Sequence, residues 1–212
     1  RRLSRATAQP YLWAIYVWFG LATYLFTAAL IGGAVRAVSP LAIAPRTAAW
    51  VELLAALVVV LYGIGHVRRG PIVRRVEVTL PTLGVPAFTV VHLTDIHIGP
   101  LLGRAFARDV VAQVNALEPD LIVITGDVVD GRLDELREHV EPLRELRAPH
   151  GVYAVCGSHE FYWNGEAWLA HLGELGIRVL RNEHVAIGDA FALAGTDDVT
   201  VGEDLDRALA GR

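Results

Sequence analysis

From Ala6 to Val35 the chain carries no charged side chain, and Tyr11–Val35 (YLWAIYVWFGLATYLFTAALIGGAV) supplies 25 mostly apolar residues in that stretch. At about 1.5 Å per residue this is long enough to cross a ~30 Å hydrocarbon core with some tilt. A helix apolar on every face over such a length needs an apolar medium all round, which a small protein core rarely supplies. Trp13, Tyr16 and Trp18 fall where amphipathic rings gather at a membrane interface. A connection from Arg36 to Arg46, with Pro40 and Pro45, leads to a second apolar stretch, Thr47–Val67, whose acidic residue Glu52 lies near its start. We read a helical hairpin with transmembrane helices at about 11–35 and 47–67, forming an N-terminal membrane region of residues 1–75.

Composition agrees with this reading. Hydrophobic residues make up 53% of the chain against 20% charged, and the mean hydropathy of +0.40 is high for a soluble domain. All 19 basic residues are Arg, bunched toward the N-terminus, and the formal net charge is -4. The remainder is acidic and has no basic stripe to track a phosphate backbone, so no nucleic-acid partner is expected. Arg1, Arg2 and Arg5 before the first helix and Arg68, Arg69, Arg74 and Arg75 after the second outnumber Arg36 and Arg46 in the connection. The positive-inside rule then makes this a multi-pass cell-membrane protein with its C-terminal domain in the cytoplasm, and the arginines after the second span also suit anionic lipid headgroups. Paired Arg1-Arg2 before an apolar run also fits a twin-arginine export signal, which would put the domain on the exported face. The single cysteine, Cys156, excludes an internal disulfide and a multi-cysteine zinc site.

After Arg75 the pattern changes to short β-rich runs alternating with amphipathic segments, the form of an α/β domain over residues 76–212. Strands are expected at Val76–Leu80, Phe88–Leu93, Leu121–Thr125 and Val152–Cys156, with shorter ones near Val179, Val185 and Phe191–Ala194. A turn is expected over Pro81–Pro86, and helices over Arg104–Leu117, about Leu133–Leu146 and about Gly165–Leu175. Three buried strands run directly into clusters of potential ligands: Asp95-Ile96-His97, Gly126-Asp127-Val128-Val129-Asp130 and Gly157-Ser158-His159-Glu160. Ligands of an open α/β sheet collect at the carboxyl ends of its strands, so the three clusters can converge on one site.

The chemistry of these residues points to metal ions. If the extended conformation continues past the strand, Asp95 and His97 leave the same face and can share a cation. A carboxylate beside an imidazole suits Mn, Fe or Zn better than Ca. Asp127 follows a glycine that permits a sharp turn, and its two oxygens could bridge two cations ~3.5 to 4 Å apart, a spacing suited to clamping a phosphate and activating water.

These motifs resemble the calcineurin-like metallophosphoesterase family, whose members read D-x-H, then G-D-x-x-D, then G-N-H-[DE], followed by later histidines including a G-H-x-H. The likeness runs from Phe88 to about Asp198, and the preceding hairpin is similar to that of the membrane-anchored bacterial members. The resemblance implies an α/β two-sheet sandwich with flanking helices and two divalent metal ions, most suitably Mn, Fe or Zn. It makes Asp95 and His97 ligands of the first metal, Asp127 the bridge between the two, and Ser158 the occupant of the second-metal position. It makes His159 the catalytic group that protonates the leaving group or steadies the phosphate, with Asp130 orienting its ring. Glu160 supports the loop rather than binding metal.

The implied activity is hydrolysis of a phosphate ester or pyrophosphate bond by a metal-activated water, on a phosphorylated small molecule or lipid. Ser158 stands where the family has Asn, and a hydroxyl is a weaker neutral donor than an amide carbonyl. No G-H-x-H occurs before Arg212 and the chain does not begin with Met, so the domain is expected to be C-terminally incomplete. The competing expectation is a catalytically impaired membrane-bound domain that binds a phosphorylated ligand or partner.

For the other reactive side chains a structural role is expected. His92 alternates away from Asp95 as a sheet histidine with a local partner, and His66, His139, His150, His171 and His184 lack ligand spacing and read as surface or helix residues. Cys156 is a small buried hydrophobe rather than a nucleophile. Phe161, Tyr162 and Trp163 either line a substrate pocket or pack the following helix. Asp197 and Asp198 approach the site only as a minor alternative.

Overall fold

The computed structural model describes residues 5–38, 43–80, 87–189 and 191–211. The turn expected over Pro81–Pro86, Pro40, and the arginines Arg1 and Arg2 lie outside the described residues. The chain divides into two compact units, Arg1–Ile72 and Val73–Arg212.

The first unit is a hairpin of α1 (Arg5–Val38) and α2 (Pro45–Val67), and each contains a candidate span long and apolar enough to cross a membrane. Helix α1 outruns the uncharged stretch at both ends; its 34 residues make roughly 51 Å at ~1.5 Å per residue. Pro45 opens α2 at a position where a missing N–H costs nothing. The hydroxyls of Thr23 and Thr27 donate to the carbonyls of Phe19 and Thr23, each at 2.9 Å, which satisfies them without water. Arg36 and Glu52 link the helices through a 2.8 Å ion pair. Gly32 makes room for it, since a Cβ there would collide with the Glu52 carboxylate.

The second unit is built on a parallel sheet of β1 (Val90–Leu93), β2 (Leu121–Thr125), β3 (Val152–Val155) and β4 (Arg178–Val179), in that spatial order. Between them run α3 (Arg104–Asn115), α4 (Leu133–Val140) and, after β3, α5 (Ser158–Tyr162) and α6 (Gly165–Glu174). An antiparallel pair, β5 (Glu183–Ile187) and β6 (Phe191–Gly195), and α7 (Leu205–Leu209) follow. The Leu133–Leu146 helix is α only to Val140. Pro142 lies in the 3-10 turn Glu141–Glu145 that continues it, where an α-helical N–H would be missing. Helices α5 and α7 were not foreseen. At five residues each they are too short to show a periodic pattern.

Two strand expectations need correcting. Val76–Leu80 has no regular secondary structure, and Val76 and Val78 are 81% and 71% exposed. An alternating pattern makes a strand only where a neighbouring backbone supplies hydrogen bonds, and no such neighbour is present among the described residues. Strand β1 is half exposed rather than buried, because it forms the sheet edge with β2 as its neighbour. Strand β2, between two neighbours, buries Leu121, Ile122 and Ile124 as expected. These three join Val110, Val114, Trp168 and Leu172 among the buried residues beneath the helices.

The register positions the site. Leu93 pairs with Ile124, and Thr125 with Val155, so the three strands end side by side at one edge of the sheet. At ~4.8 Å between neighbouring strands, the three loops that follow emerge within about 10 Å of one another.

Candidate metal centre

The loops after β1 and β2 are joined by backbone hydrogen bonds. Asp95 N–H donates to the Gly126 carbonyl at 3.3 Å, His97 N–H to Asp127 at 3.0 Å, Ile98 N–H to Val128 at 2.8 Å, and Asp130 N–H returns to Ile98 at 2.9 Å. Apolar residues interleaved with the polar ones, Ile96, Ile98, Val128 and Val129, are buried in the core. The loops after β2 and β3 meet through two glycines. A Cβ on Gly126 would strike the Gly157 backbone, and a Cβ on Gly157 would strike the Asp127 carboxylate.

Asp95, His97 and Asp127 have φ of 53°, 48° and 52°, in the left-handed region that few non-glycine residues adopt. The expectation that Asp95 and His97 continue an extended strand therefore fails. The strand ends at Leu93, and the left-handed turns, not strand alternation, aim their side chains. Backbone strain of this kind gathers at functional sites, where surrounding contacts over-determine it.

The structure brings His97, Asp127 and His159 together, their candidate ligand atoms all within 4.8 Å of one another. The two imidazole rings meet edge to face at 4.6 Å. Asp95 lies at the rim: its carboxylate is 3.9 Å from His97 Nε2, its side chain is 62% exposed, and it accepts a 2.5 Å hydrogen bond from the Thr94 hydroxyl. Ser158 opens α5 and is half-buried. Asp130 Oδ1 is 3.4 Å from His159 Nδ1, within ion-pair distance but without the alignment of a hydrogen bond, so that nitrogen has no hydrogen-bond partner among the described residues. The same Asp130 oxygen accepts a long 3.4 Å contact from Trp163 Nε1. Two imidazoles and a carboxylate form a donor set that fits a divalent transition metal.

Glu160 is turned away from this cluster and fully buried. Its carboxylate accepts from the backbone N–H groups of Gly157, Asp127, Val128 and Val129 at 2.8–3.1 Å. Burial pushes its pKa up, and the four donors act against that shift. Asp127 Oδ1 accepts from His159 N–H at 3.0 Å, closing the link between the second and third loops.

The aromatic residues after the third cluster take different environments. Phe161 packs against the core, whereas Tyr162 is exposed with its ring 5.5 Å from that of His159. Sequence reasoning missed Thr94, since a hydroxyl beside an aspartate carries no spacing signal. His92 Nε2 is 2.7 Å from the Thr125 hydroxyl on the next strand, the local partner expected of it. His171 lies on α6 but is buried against Trp168 rather than on the surface, and Glu174 Oε2 is 2.9 Å from its Nδ1. Cys156 is buried and its pKa is pushed well up, first by desolvation and then by the Glu160 charge, which makes it unreactive. Asp197 is held by Arg181, which donates to both its oxygens at 3.1–3.2 Å, and Asp198 accepts from Thr200.

Comparison with known proteins places this geometry. The chain is 36% identical over 191 residues to a transmembrane protein with metallophosphoesterase domain from Bos taurus, covering 81% of this chain and 42% of that one. It is 33% identical over 176 residues to the protein of the same description from Danio rerio, covering 75% and 40%. An uncharacterized metallophosphoesterase of Helicobacter pylori (strain J99 / ATCC 700824) is 35% identical over 131 residues, covering 58% and 35%. The chain thus spans about two fifths of the length of the two animal relatives. No solved structure matches it significantly. Residues 88–206, more than half of the chain, match the model of the calcineurin-like phosphoesterase family, and the chain belongs to that family.

Proposed function

We propose that the chain carries a membrane-anchored, metal-dependent phosphoesterase that hydrolyses a phosphate ester or pyrophosphate bond. The observation that carries this reading is the convergence of His97, Asp127 and His159 from three strand ends. Asp95 and His97 would hold a first divalent ion, Asp127 would contribute to both metal positions, and Ser158 would belong to the weaker second one. Mn, Fe or Zn ions held there would supply Lewis-acid charge toward a phosphoryl group and make water a better nucleophile. His159 gives a proton to the leaving oxygen, and Asp130 steadies the ring so that its other nitrogen can do so. Tyr162 and Trp163 border the space a leaving group would occupy. The arginines flanking the hairpin support a cytoplasmic domain, and the anchor favours a phosphorylated lipid or a small molecule met at the membrane surface.

Elemental analysis of the chain in mild detergent tests this first. Two transition metals per chain, lost in Asp127→Asn, are expected; no metal in the unmutated chain would sink the reading. His159→Asn should retain the metal and lose roughly 10²- to 10⁴-fold in turnover of a generic phosphodiester. Metal loss in that variant instead would make His159 a ligand. Ser158 in place of Asn favours a second reading, a domain that binds a phosphorylated ligand without cleaving it. Full metal occupancy and ligand binding with no turnover of any phosphate ester would select it.

A further inference from the structure

Both oxygens of Glu160 are spent on backbone N–H groups. Oε2 takes those of Gly157 and Asp127, and Oε1 those of Val128 and Val129. Three consecutive N–H groups can reach one carboxylate only where the chain wraps around it as a concave nest, and the left-handed turn at Asp127 starts that wrap. This conformation is strained for a non-glycine residue, so something must hold it. The joint between the first and second loops is a ladder of backbone bonds, whereas the second and third loops meet through the two touching glycines, the Glu160 carboxylate and the Asp127–His159 bond.

We propose that Glu160 is a positioning residue that fixes the left-handed backbone of Asp127 and clamps the second loop to the third, thereby setting the metal affinity of the site to which His97 and Asp127 contribute. The clause on affinity rests on the metal reading above, whereas the clamp does not. Glu160→Gln isolates the effect. It keeps size and burial, but its NH2 group must face two of the four donors, so about half of the nest is lost.

The full chain in mild detergent is compared as unmutated protein, Glu160→Gln, and Val114→Ala, a cavity in α3 that lowers stability without touching either loop. Amide hydrogen exchange in chelator is expected to quicken at least about tenfold at 126–130 and 157 in Glu160→Gln, while α3 amides stay unchanged. Mn2+ affinity should fall about 10- to 100-fold in Glu160→Gln and by less than about twofold in Val114→Ala. Unchanged exchange at Asp127–Val129, or equal losses in Val114→Ala, would overturn the proposal. Should the unmutated chain bind no Mn2+, the metal reading fails along with the affinity clause, and exchange alone still decides the clamp. If Glu160→Gln does not fold, Glu160→Asp, which keeps the charge with a shorter reach, serves in the same comparison. It should show a smaller shift of the same sign, and no shift would overturn the clamp.

Discussion

The hairpin and the α/β unit spend apolar side chains in opposite ways. In α1, Trp18, Phe19 and Phe26 are 67%, 71% and 67% exposed, while in the α/β unit Trp168, Ile98 and Ile122 are fully buried. Polar groups invert as well. Thr23 and Thr27 bond back to their own helix, whereas Asp127, His159 and Glu160 bond between loops far apart in sequence. The hairpin turns its apolar side chains outward, as a candidate membrane span does, and the α/β unit turns them inward. An exposed apolar residue therefore means something different in each.

The largest effect that sharpens this contrast comes from truncating one aromatic in each region. Trp168→Ala should destabilise the α/β unit by roughly 3–5 kcal/mol through its cavity and the loss of its 3.1 Å bond to the Gly131 carbonyl. Phe19→Ala should leave the denaturant unfolding of the same unit unchanged. An equal loss from both would break the distinction.

Next comes a charge placed at an exposed position on each side. Val58→Arg in α2 is expected to cost about 2.5–3.5 kcal/mol of membrane insertion, read as the fraction of chain whose second span is integrated. Ala112→Arg on the exposed face of α3 should change unfolding by less than about 0.5 kcal/mol. Complete insertion of the Val58→Arg chain would argue that this face of α2 meets water or protein rather than lipid.

The smallest effect concerns the link between the helices. A double-mutant cycle of Arg36→Ala and Glu52→Ala should yield a coupling of at most about 1 kcal/mol, measured as hairpin cross-linking or thermal stability. A coupling several times larger would show that the 2.8 Å pair is shielded from headgroups and water.

Much of the fold could be read along the chain. The uncharged stretch showed α1, the 3.6-residue spacing of Phe106, Val110, Val111 and Val114 showed α3, and the apolar run Leu121–Thr125 showed β2. Val76–Leu80 misled because its alternation was sound but its partner was missing among the described residues. At the site, the motif spacing points to His97, Asp127 and His159, which the structure brings together, and to Asp95, which it places at the rim.

The sequence alone determined where the two long apolar stretches lie and which reactive residues follow each strand, because hydropathy and strand or helix period are local properties of neighbouring residues. Only the tertiary structure decided that Asp95, His97 and Asp127 take left-handed backbone, that Glu160 gathers four N–H groups, and that His159 Nδ1 stops 3.4 Å from Asp130. Those depend on which loops the parallel register sets side by side, and a hydrogen bond between residues some thirty apart has no local trace in sequence.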